Sequence, residues 1–157
     1  MEKHILTTEE LSVALYEALR EDGCFPLEIT GNSMLPFLHP GRDAVLLRKF
    51  HPESCKVGTI LLFQRQNGKF VLHRVRRILP GGYRMNGDAQ NWCEEISTEQ
   101  VVAQVYQIRQ KGKLLSCDCI RLKIRDFLWY FTRPFRPPLL RVRHYIKRIF
   151  DCLLVHK

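Results

Sequence analysis

The chain has 157 residues, 45% of them apolar and 26% charged, which suits one packed domain with an appendage and excludes an intrinsically disordered protein. Its formal charge of +9 is uneven: residues 1–108 carry 12 Lys/Arg against 13 Asp/Glu, whereas residues 109–157 carry 13 against 3. No run approaches the roughly 18 apolar residues of a spanning helix, and the first residues lack the cationic and apolar regions of a secretory signal.

Residues 7–22 predict a helix. Thr7 and Glu10 have capping-box spacing, Leu11, Leu15, Ala18 and Leu19 form one apolar stripe, and Gly23 ends it. From there to residue 116 the segments FPLEIT, DAVLLRKF, GTILLFQRQ, KFVLHRVRRIL, YRM and VVAQVYQIRQ read as strands. Asn67-Gly68 predicts a two-residue hairpin pairing 59–65 with 70–79. Gly81-Gly82, Asn86-Gly87 and Lys111-Gly112-Lys113 mark further turns. The expected fold is mainly β: a small coiled or barrel-like antiparallel sheet behind an N-terminal helix.

The chain divides into a domain over 1–116 and a basic tail over 117–157. In the tail, RLKIRDFLWYF and LLRVRHYIKRIFDCLLVHK read as helices separated by the proline-broken TRPFRPP. Leu139, Val142, Ile146, Ile149 and Leu153 recur every three or four residues among arginines and lysines. That pattern fits a helix lying in an anionic membrane interface, a helix docked on a protein, or a nucleic-acid contact. The six cysteines follow no disulfide framework and read as small buried apolar residues. Cys117 and Cys119, with Cys152 and His156, leave a metal site open, although no C-x-x-C pair accompanies them.

Three side chains could carry chemistry. Ser33 follows Gly31-Asn32, a pair able to turn the chain and expose a hydroxyl, although serine there is also ordinary turn chemistry. Strand alternation puts Val71, His73, Val75 and Leu79 on the apolar face and Arg74 and Arg76 on the other. Burial disfavours the imidazolium, so His73 reads as a neutral base or as a core histidine bonded to a carbonyl. Asp88, after the Asn86-Gly87 turn, could orient the second ring nitrogen or simply stabilise the turn.

Taken in order, GNSMLPFLHPGRDAVLL, GTILLF, VLHRVRRI and NGDAQ resemble the signal-peptidase and LexA-type serine peptidase superfamily over about residues 25–110. The resemblance implies Ser33 as nucleophile, His73 as base and Asp88 as orienting acid, although Glu94 and Glu95 follow where a second aspartate is expected and leave a different third member open. It points to the histidine branch, the archaeal and endoplasmic-reticulum type. Asp43 matches a family aspartate that supports the fold. Gly31 stands where many signal peptidases carry a second serine, leaving backbone donors, chiefly the Ser33 amide, with Asn32 or Thr30 at the oxyanion.

The implied function is a serine endopeptidase that trims a leader or precursor peptide bound in extended form, with no metal or organic cofactor. The usual N-terminal anchor is not evident, so the expected location is cytoplasmic, peripheral on the inner membrane face through residues 120–157. Two other classes stay open: an inactive peptide-binding module on the same fold, and a regulator whose tail binds nucleic acid.

Overall fold

The computed structural model describes residues 8–20 and 23–117, together with Ile124, Leu128, Trp129 and Phe131. Helix α1 spans Thr8–Arg20 and buries Leu15 and Leu19 from its apolar stripe. Eight strands follow: β1 Phe25–Glu28, β2 Ala44–Arg48, β3 Ile60–Gln64, β4 Phe70–Leu79, β5 Gly82–Asn86, β6 Glu94–Ser97, β7 Val101–Gln110 and β8 Lys113–Ser116. They form one antiparallel sheet in the order β1-β2-β7-β3-β4-β5-β6, with β8 also on β7. The protein is therefore mainly β, as its strand signals predict.

The sheet bends where residues are inserted into its ladders. Register shifts occur at Leu46/Leu47 of β2, Leu62/Phe63 of β3 and Val75/Arg77 of β4. Such bulges add local right-handed twist and coil a sheet. One face carries a core of Leu61, Phe63, Val75, Tyr83, Met85 and Ile96, with Cys55 and the partly covered Phe50, Val71 and Val101.

β3 pairs with β4 as expected, but one residue out of the register that a two-residue Asn67-Gly68 loop requires, with Leu61 opposite His73 and Phe63 opposite Val71. Its turn is wider than a two-residue loop: the Arg65 amide donates to the Lys69 carbonyl, and of Asn67 and Gly68 only Gly68 is left-handed, at φ 78°. The tight hairpin lies instead between β7 and β8. Lys111 and Gly112 both have positive φ, 48° and 78°, between the paired Gln110 and Lys113. This is the type I′ signature, whose twist matches that of the strands.

Arg74 and Arg76 of β4 lie on the face opposite His73, and they are covered there. Arg74 is buried and Arg76 nearly so, because Asp88 lies against them. Strands β6 and β8 have no counterpart among the expected strands. Residues Met1–Cys119 form one unit and Ile120–Lys157 another. Most of the expected tail helices lies outside the described residues, as do Cys119, Cys152 and His156. Ile124, Leu128, Trp129 and Phe131 are helical. Among the described residues no helix is long and apolar enough to cross a membrane, and no group of metal-ligating side chains is assembled.

Candidate active site

Ser33 opens a turn segment that links β1 to β2 and is pinned by its own apolar residues. Met34, Phe37 and Leu38 are buried, and the Met34 carbonyl accepts from the amides of Phe37 and Leu38 at 3.1 and 3.0 Å. Gly31 and Asn32 lie exposed, and Ser33 is half-buried. The Leu35–Pro36 peptide is cis.

Asp43 closes the far end of this segment. Its fully enclosed carboxylate takes the Arg42 fork at 2.8 and 2.7 Å and the His39 amide at 2.9 Å. Burial pushes the Asp43 carboxyl up, but Arg42, the His39 amide and Gln110 outweigh it and hold the group at about 2. The Gln110 amide also donates to the Phe37 carbonyl, tying the segment to the end of β7.

The turn after β5 is packed by the Ser33 main chain and by the His73 imidazole. The Ser33 carbonyl accepts the Ala89 amide at 2.9 Å, anchoring the serine segment on residues 87–90. A methyl group built on Gly87 would stand 2.7 Å from the Ser33 carbonyl oxygen and 2.9 Å from Nε2 of His73. Both contacts are closer than real side-chain carbons sustain, so only glycine lets the Ser33 carbonyl and the imidazole both pack this closely on residue 87. Gln90 completes the turn, its amide donating to the Gly87 carbonyl at 2.9 Å.

His73 is buried on the apolar face, between the rings of Phe63 at 5.9 Å and Trp92 at 6.2 Å. Burial disfavours the imidazolium and is the largest influence. Glu94 opposes it, Arg65 reinforces it, Asp88 adds a weaker opposing pull, and the net shift is downward from the usual imidazole value. The ring is therefore neutral at neutral pH, and a neutral ring nitrogen can accept a proton.

The carboxylate at the other ring nitrogen belongs to Glu94, whereas the sequence had pointed to Asp88. Oε1 of Glu94 lies 2.9 Å from Nδ1. The separation is short but off-axis, and Nδ1 finds no acceptor in hydrogen-bond geometry. Sheet register explains the encounter: Glu94 pairs with Met85, and Met85 with Val75, two residues from His73 on the same face. Glu94 is also gripped by Arg65, at 2.8 Å from Nε to Oε2 and 2.7 Å from Nη2 to Oε1. The Arg65 guanidinium sits 5.8 Å from the centroid of Trp92, which is half exposed.

Asp88 is enclosed on the opposite side of β4. Arg74 reaches its carboxylate at 3.0 and 2.9 Å and Arg76 at 2.8 Å. Arg74 also donates to the Gly58 carbonyl at 3.0 Å. Its role is to neutralise two arginines and hold the loop that follows β5, in place of the expected orientation of His73.

Strand alternation and the apolar run single out His73, and the Gly-Asn turn singles out Ser33. Of Glu94 and Glu95, left open by the sequence as a different third member, Glu94 is the one beside His73. Arg65, Trp92 and Gly87 were not foreseen as site residues. Arg65 carried a usable signal, since residues 61, 63 and 65 share the face that residues 71, 73 and 75 oppose. No family model, curated protein or solved structure matches the chain.

Proposed function

We propose that the protein is a serine endopeptidase of signal-peptidase-like type that cleaves a leader or precursor peptide. Ser33 attacks the scissile carbonyl, His73 takes its proton through Nε2 and returns it to the leaving amine, and Glu94 supports the imidazolium. The main-chain amides around Ser33 receive the oxyanion. The observation that carries this reading is the packing of the Ser33 carbonyl and Nε2 of the neutral His73 against the same residue, Gly87, with a carboxylate 2.9 Å from the other ring nitrogen.

A second reading is favoured by the off-axis Nδ1 contact and by Gly31 in place of a serine: an inactive module that binds extended peptides. Covalent labelling separates the two. The intact protein is treated with a serine-directed phosphonylating probe and weighed, alongside Ser33→Ala and His73→Ala. The peptidase reading expects one adduct on Ser33, absent in Ser33→Ala and slowed at least ~100-fold in His73→Ala. An unmodified, folded wild-type protein would favour the binding module.

A further inference from the structure

Glu94 serves two cations at once, and the geometry is unequal. Arg65 takes both carboxylate oxygens in a fork at 2.7 and 2.8 Å. A bidentate pair of this kind fixes the plane of the carboxylate as well as its position. His73 gets only Oε1, already occupied by the Arg65 Nη2, and gets it off the N–H axis. The imidazole cannot rotate widely to improve the contact, because Phe63 and Trp92 flank it and Gly87 abuts Nε2. The misalignment is thus set by the guanidinium.

Arg65 is able to play a variable part. It lies just past β3, where the hairpin leaves the sheet, and about a third of its side chain is exposed. The charged groups facing His73 are Glu94 from β6, Arg65 from the β3–β4 turn, and Asp88 after β5, itself held by Arg74 and Arg76 of β4. Of these, only Arg65 both repels an imidazolium directly and competes for its nearest counter-ion.

We propose that Arg65 is a positioning residue of the site, holding the Glu94 carboxylate turned off the Nδ1–H axis of His73 and so limiting how firmly that carboxylate supports the ring. This deepens the Ser33–His73 reading and rests on it. Loss of the fork lets Glu94 swing onto Nδ1, makes His73 a stronger base and straightens the Nδ1–H···Oε1 bond. Loss of Glu94 does the opposite, leaving Arg65 to repel the ring unopposed.

The test is an NMR titration of the full chain with isotope-labelled histidine, His73 being assigned by its disappearance in His73→Gln. In Arg65→Gln the His73 midpoint is expected to rise and its Nδ1 proton to move downfield. In Glu94→Gln the midpoint is expected to fall. Arg65→Lys keeps a positive charge without the fork, so it should straighten the Nδ1 bond yet raise the midpoint less. A midpoint unmoved or lowered in Arg65→Gln overturns the proposal. So does movement of Arg65→Gln and Glu94→Gln in the same direction, the mark of a shared structural disturbance. Collapse of both Arg65 variants would assign Arg65 to the fold and overturn it equally. None of these results depends on turnover, whereas the peptidase reading stands or falls on Ser33 labelling.

Discussion

His73 and Arg74 are consecutive on β4 and point to opposite faces of the sheet, and each meets a carboxylate delivered by a later segment. On Arg74's side Asp88 is fully enclosed and closed off by the Arg74 and Arg76 guanidinia. On His73's side Glu94 keeps some exposure and divides its oxygens between an arginine and a histidine. The ingredients are nearly the same. The difference is saturation: enclosed and well satisfied, a carboxylate fixes structure, and partly committed, it can respond to a proton arriving next door.

Removing each carboxylate charge in turn tests that contrast. Asp88→Asn should have the largest effect, because it leaves buried guanidinium charge uncompensated. Such losses cost about 3–5 kcal/mol, and a shift of the urea midpoint at unchanged slope would measure it. A change below about 1 kcal/mol would remove the distinction between the two sides.

Glu94→Gln sharpens the other half. It should leave the urea midpoint nearly in place but slow Ser33 labelling by roughly ten- to a hundredfold, the worth of one charge-assisted contact of ~1.5–3 kcal/mol. An unaffected labelling rate would reduce Glu94 to a surface partner of Arg65.

Asp43 supplies a second enclosed carboxylate, with a smaller effect on stability than Asp88. Held at about 2 in the folded protein against an ordinary 3.8, it contributes stability above pH 4 that is lost as pH falls toward 2. The linkage amounts to about 2 kcal/mol. Asp43→Asn should therefore be less stable at neutral pH and should flatten the acid limb of stability against pH. A variant with the wild-type acid limb would show that other groups govern acid unfolding.

Much of this architecture was legible because it is local. The β3–β4 pairing, though not its exact register, follows from apolar runs on either side of a glycine turn, and His73 stands out as a polar residue on an apolar face. What escaped was contact between segments distant in sequence. The burial of Arg74 depends on Asp88, which lies across the β4–β5 hairpin. Strand β6 is four residues long and holds two glutamates, and only Ile96 is buried, so neither alternation nor propensity announces it. Without β6 in place, Glu94 could not be set beside His73, and the nearer Asp88 took its role from the turn and the resemblance. The hairpin turns show the same limit. Asn67-Gly68 has the stronger two-residue pattern, yet the type I′ turn forms at Lys111-Gly112, where the strand ends face each other directly.

Gly87 has one more consequence. The serine segment and the imidazole meet across a residue without a side chain, so the joint contains nothing compressible: a carbonyl lies on one side and a ring wedged between aromatics on the other. A single methyl group there would act as a wedge on the Ser33 carbonyl and the imidazole while altering neither side chain. On the peptidase reading proposed above, that one substitution would part nucleophile from base and leave a non-cutting receptor, a conversion that would trap the natural target for identification.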